Sequence, residues 1–159
     1  MAARTDPIPH PSDRELRIVR VFDAPPALVF DAWTNPGHLA QWLGPTNFTC
    51  PSCQLDVRPG GTYRACIVGP DGATYWMRGV YREIVPAKRL VFTFAWEDDA
   101  GNPVHETVVT LTFTPQGKRT RQEFHQSLFR TEQECSEHRS GWSECLDRLD
   151  TYLADTLQC

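Results

Sequence analysis

No stretch of this chain approaches the ~20 apolar residues that a membrane span requires. The first residues also lack the apolar core, roughly 7–15 residues long, of a signal peptide. Residues 1–13 instead carry Pro7, Pro9 and Pro11 among polar neighbours. A disordered tail is expected there, ahead of a single domain over residues 14–159, and the cytoplasm is the expected location. An excess of basic charge is missing too. Sixteen Lys and Arg face twenty Asp and Glu, for a net charge of −4, which argues against a nucleic-acid partner. The densest basic cluster, Lys118, Arg119 and Arg121, reads as a solvated turn and strand edge. No cofactor fingerprint and no specific catalytic motif is found.

Cysteine chemistry is limited by spacing. Of the six cysteines, Cys135 and Cys145 fall on one predicted helix, about 15 Å apart, too far to bridge. Cys50-Pro51-Ser52-Cys53 is a CxxC, but no second ligand pair at zinc spacing accompanies it, so no metal site is expected. The motif falls within a strand pattern. Its thiols should point to opposite faces unless Pro51 forces a bulge. A redox CxxC is usually placed at a helix N-terminus, so a structural role is expected here.

Helical periodicity is absent from residues 48–129, and six strand-like runs fill that interval. Phe48 to Val57 places Cys53, Leu55 and Val57 on one face. Thr62 to Val68 brings Tyr63, Ala65 and Ile67 together, and Thr74 to Val85 aligns Met77, Gly79 and Tyr81. Leu90, Phe92, Phe94 and Trp96 alternate without a miss. Val109, Leu111 and Phe113 mark the next run. The last carries Gln122, Phe124, Gln126 and Leu128 on one side, with Arg121, Glu123 and His125 towards water. Turns such as Pro59-Gly60-Gly61 and Gly69-Pro70-Asp71-Gly72 are short, which implies an antiparallel meander.

An earlier strand, Arg14 to Phe22, is marked by Leu16, Ile18 and either Val19 or Val21, with alternating faces. Asp23-Ala24-Pro25 then opens a short helix with Asp23 as a cap candidate, and Asn35-Pro36 caps a second. Seven strands at about 4.8 Å spacing give a sheet about 29 Å wide.

Thr131-Glu132-Gln133-Glu134 is a capping box and starts a long helix. Cys135, His138, Trp142, Cys145, Leu146, Leu149, Tyr152 and Leu153 form its apolar stripe. If the helix runs to Leu157 it is about 39 Å long, enough to cross the sheet. An amphipathic rod of that length must cover something, and only the sheet is large enough.

Strand, two short helices, six-strand meander and long helix resemble the helix-grip fold of the START-like superfamily, which includes the birch-pollen allergens. Several stretches narrow the resemblance: Arg20-Val21-Phe22-Asp23-Ala24-Pro25, Phe30-Asp31-Ala32-Trp33-Thr34, Trp42-Leu43-Gly44-Pro45, Asp56-Val57-Arg58-Pro59-Gly60-Gly61, residues 78–86, and residues 107–113. They are similar to the heat-shock-protein-90 ATPase activator-like branch of the SRPBCC proteins. Gly141-Trp142 with Leu146, Leu149 and Tyr152-Leu153 is similar to that branch's closing helix. The resemblance spans about residues 14–157. It implies an α+β fold in which a curved seven-stranded antiparallel sheet wraps a C-terminal helix, with a pocket between them for apolar or aromatic small molecules. Some relatives in the superfamily are cyclases or hydroxylase subunits. The branch takes its name from a eukaryotic co-chaperone with a separate N-terminal chaperone-binding domain, for which these 159 residues have no room. Chaperone binding therefore ranks last.

The expected pocket residues are Tyr63, Met77, Tyr81, Phe92, Phe94, Trp96, Gln122, Phe124, Gln126, His138 and Trp142. Gln122 and Gln126 are polar where a core would be apolar, and that pattern points to a pocket independently of the resemblance. His138 lies mid-stripe on the closing helix. It is the candidate to orient a ligand or move a proton, although no neighbour in sequence completes an acid–base pair. Tyr63 and Tyr81 are the other acid–base candidates. Strand parity places Glu83 inward, paired with an arginine of a neighbouring strand, and Glu106 outward. His105 and Glu106 point apart as adjacent strand residues and make poor metal ligands. Gly141 costs about 1 kcal/mol in a helix relative to alanine, which suggests either a close approach by the sheet or space for a ligand.

The readings rank as a binder of a small apolar or aromatic molecule, then a cyclase- or lyase-like enzyme acting on such a molecule, then a chaperone-interaction module.

Overall fold

The structure, a computed structural model, describes residues 14–157. The expected disordered tail over residues 1–13 lies outside the described residues. Ten elements follow in order: β1 (Leu16–Phe22), α1 (Pro26–Thr34), α2 (Pro36–Trp42), β2 (Thr49–Leu55), β3 (Thr62–Val68), β4 (Thr74–Val85), β5 (Arg89–Trp96), β6 (Thr107–Gln116), β7 (Arg119–Ser127) and α3 (Glu132–Leu157).

Consecutive short turns make β2 to β7 a meander, as hairpin chemistry dictates. The chain leaves β1 through the two helices and returns at the far edge. The result is one seven-stranded antiparallel sheet ordered β1-β7-β6-β5-β4-β3-β2. Residues alternate in burial along β6 and β7, as a half-buried strand requires. In β1, Leu16 and Phe22 are buried while Val19 and Val21 face outward.

The 26-residue α3 spans about 39 Å. Its stripe of Cys135, Trp142, Cys145, Leu146, Leu149 and Leu153 is buried in the shared core. This is the helix-grip arrangement. The Thr131 hydroxyl accepts from the Glu134 N–H at 3.1 Å. The Glu134 carboxylate reaches one residue further back than a capping box requires, to the Arg130 N–H at 3.2 Å, and also pairs with the Arg130 guanidinium.

Trp33, carried inward by α1, packs against Trp42, Phe92, Phe124 and Trp142. Asn35 caps α2 by accepting from the Gly37 N–H at 2.9 Å. Asp23 does not cap α1. Pro25 holds that position without a side-chain hydrogen bond, and Asp23 lies 3.7 Å from Arg119 instead.

Two inward assignments are corrected. Between Tyr81 and Glu83 the β4–β5 register shifts by one residue. The extra residue reverses parity, so Glu83 turns out to water and pairs with Arg89 of β5 at 3.0 Å. The arginine partner on a neighbouring strand is present, but the inward position is not. Leu128 follows the end of β7 with φ +76°. That left-handed turn exposes Leu128 and sends Phe129 into the core instead.

Candidate functional site

Helix α3 leaves part of the sheet uncovered, and a cavity of about 550 Å³ opens there. This is well within the size of small-molecule sites. Helix α3 supplies Glu137, His138, Gly141, Trp142 and Cys145 to its wall. The sheet supplies Ile67 from β3, Tyr75 and Met77 from β4, and Phe94 and Trp96 from β5. Leu43, Gly44, Pro45 and Phe48, where α2 runs into β2, complete it.

Gly141 accounts for part of this space. A Cβ built there would meet nothing within 4 Å, so no close approach by the sheet explains the glycine. Gly79 is the contrasting case. Its Cβ would fall 1.9 Å from the Thr93 carbonyl oxygen and 2.6 Å from Tyr63.

His138 is half-buried at the wall, ringed by Phe94, Trp96 and Phe129. The Trp96 indole N–H donates to its Nε2 at 3.1 Å. An indole N–H can only donate, so Nε2 is the acceptor and a neutral ring carries its proton on Nδ1. Burial lowers the His138 pKa from 6.5, against the opposing influence of Glu134 and Glu137. The same imidazole borders a second recess of about 180 Å³, where Arg130, Glu134 and His105 supply polar groups. There Arg130 holds the Glu134 carboxyl below its ordinary value.

Five of the expected pocket residues meet at the main cavity: Met77, Phe94, Trp96, His138 and Trp142. Tyr63, Tyr81 and Phe92 lie deeper, around a void of only about 30 Å³. Gln122, Phe124 and Gln126 stand at none of these walls. Both glutamines are fully buried, and their polarity serves the indoles. Gln122 Oε1 accepts from Trp33 Nε1 at 2.8 Å, and Gln126 Oε1 accepts from Trp142 Nε1 at 2.9 Å. Gln126 Nε2 in turn donates to the Thr107 hydroxyl at 2.8 Å.

Sequence reasoning missed Tyr75, Ile67, Phe48 and Cys145 as wall residues. Parity with Met77 and with Tyr63 marked the first two. Cys145 was already on the apolar stripe. Phe48 gave no signal, because the approach of the α2–β2 connection to α3 is a tertiary matter.

The titratable groups divide sharply. Burial pushes the Tyr63 and Tyr81 hydroxyls well above the usual phenol range, and the Tyr63 hydroxyl donates to the Thr93 carbonyl at 2.6 Å. Burial lifts the Cys145 thiol to about 12. All three stay protonated near neutrality. His105 Nε2 donates to the Leu128 carbonyl, while Glu106 pairs with Arg82. Among the described residues no group of three or more His, Cys, Asp or Glu could hold a metal ion. No helix among them is long and apolar enough to cross a membrane.

A comparison with family models matches residues 23–154 to "Activator of Hsp90 ATPase homolog 1-like protein". Among solved structures, a protein from Chromobacterium violaceum is similar at TM-score 0.78 and 27% identity, covering 87% of this chain and 96% of that one. The AHSA1 protein from Silicibacter pomeroyi gives TM-score 0.80 and 26% identity, covering 88% and 97%. A protein from Arthrobacter aurescens gives TM-score 0.83 and 25% identity, covering 93% and 90%. No curated protein matches.

Proposed function

Since this chain belongs to the Activator of Hsp90 ATPase homolog 1-like family, we propose that it uses the helix-grip cavity to bind a small apolar or aromatic molecule. One observation carries this reading. A space of about 550 Å³ has a wall that is mostly apolar or aromatic, interrupted on the α3 side by the half-buried neutral imidazole of His138 and the side chain of Glu137. An apolar lining removes the ligand surface from water, and a few polar groups set its orientation. With Nε2 engaged by Trp96, His138 has its Nδ1–H to offer. The preferred ligand therefore carries one acceptor oxygen, such as a carbonyl or carboxylate, on an apolar body. Cytoplasm is the proposed location, in keeping with the absence of a membrane-spanning helix among the described residues.

A thermal-shift screen of the full chain against aromatic and lipid-like compounds tests the reading. A ligand at 100 times its Kd adds about 2.7 kcal/mol. That shifts Tm by about 5–11 °C for a domain of this size. Mass spectrometry of the natively purified protein would reveal a co-purified molecule directly. No stabilisation across a broad library, with no bound molecule, would sink the proposal.

A cyclase- or lyase-like reaction would draw on the same cavity. The Tyr63 and Tyr81 hydroxyls are held protonated away from the main wall, where His138 stands as the acid–base candidate with Glu137 beside it on α3. Turnover that His138→Ala abolishes while the fold survives would favour this reading. Chaperone interaction rests on the family description alone and is tested by pull-down against the chaperone.

A further inference from the structure

Cys50-Pro51-Ser52-Cys53 plays no part in the cavity, yet its geometry is unusual. In a regular strand, residues three apart point to opposite faces and lie about 10 Å apart, out of disulfide range. Here the β2–β3 register slips by one residue between Thr49 and Ser52. Pro51 has no N–H to give the ladder, and β2 is an edge strand, where such a bulge is tolerated. Removing one residue from the count leaves Cys50 and Cys53 equivalent to residues two apart. They then share a face at about 6.7 Å, inside the range a disulfide spans. Both side chains are half-buried and pack against the core from that side.

We infer that Cys50 and Cys53 form a thiol–disulfide exchange site, with Cys50 as the attacking thiol and Cys53 as the resolving one. The co-reactant is a low-molecular-weight disulfide. The Cys50 thiolate attacks one of its sulfurs, the reagent's S–S bond breaks, and one thiolate leaves. Cys53 then gives up its proton and attacks the Cys50 sulfur, and the second thiolate departs. Two protein thiols become one disulfide, and the reagent is reduced to two thiols. The surroundings fit these roles. The Cys53 S–H hydrogen-bonds to Cys50 and, with lesser help from the Ser52 backbone and the Arg148 guanidinium, lowers the Cys50 pKa. The same bond, with burial, pushes Cys53 far up. Cys135 and Cys145 are buried on α3. Cys66 lies beside the motif, opposite Ser52 on β3, but it is buried and burial pushes its thiol up, so it stays protonated.

The inference is independent of what the cavity holds. To test it, the full chain is equilibrated with reduced and oxidised glutathione, quenched with acid, alkylated and mapped by mass spectrometry. Cys50 and Cys53 should lose alkylation together as an internal disulfide, with no lasting glutathione adduct. Cys53→Ala should trap glutathione on Cys50, and Cys50 of the reduced wild type should alkylate faster at neutral pH than in that variant, which lacks the side-chain donor. A stable adduct on wild-type Cys50, protection of only one thiol, or equal alkylation rates in the two proteins would each overturn the assignment.

Discussion

The Trp96 indole N–H donates to Nε2 of His138 across 3.1 Å, joining the centre of the sheet to the closing helix. Protonating the ring would force two N–H groups to face each other. The bond and the burial therefore both favour the neutral imidazole.

This gives a pH dependence of definite sign. The native His138 pKa lies below 6.5, the value expected when unfolded. Above 6.5 both states are neutral and the residue adds no pH dependence. As pH falls below 6.5 the unfolded chain takes up the proton first, so stability drops until the native ring also titrates. Glu134 and Glu137 oppose the shift without cancelling it. Denaturant midpoints of wild type and His138→Gln should diverge in that window, with the wild type losing more. Parallel curves would contradict the assignment. Trp96→Phe should raise the His138 pKa, read by NMR titration.

Gly141→Ala should stabilise the protein. The new methyl meets nothing within 4 Å, and the helix gains about 0.5–1 kcal/mol. At about 2–4 °C per kcal/mol for a domain of this size, Tm should rise by about 1–4 °C. Gly141→Leu should leave the fold intact and weaken ligand-induced thermal shifts by narrowing the cavity.

Gly79→Ala should act in the opposite direction. Its Cβ would collide with the Thr93 carbonyl, which is backbone and cannot swing away. Overpacking of this kind costs about 3 kcal/mol or more, and the variant should be poorly soluble or far less stable by urea denaturation.

Gln126→Leu should cost about 1–3 kcal/mol by leaving the Trp142 indole N–H unpaired in the core. The double variant Gln126→Leu with Trp142→Phe should lose less than the two single losses combined. Strict additivity would show that the bond carries no coupling.

Patterns of period two and 3.6 made most of the architecture legible in the sequence. Hydrophobic alternation in β5 and β6, turn residues between strands, the Asn35 cap and the α3 stripe are local matters. They depend on neighbours within a few residues, so the amino-acid order alone dictates them. Five of the cavity residues were legible for the same reason. Long-range packing decided the rest. A single bulged residue turned Glu83 outward, and another bulge brought Cys50 and Cys53 to one face. Gln122 and Gln126 lie inward as their parity requires, yet the indoles of Trp33 and Trp142 claim them. Which buried polar group meets a partner and which meets a cavity depends on side chains up to 89 positions away. Only the closing of α3 over the sheet brings those groups together.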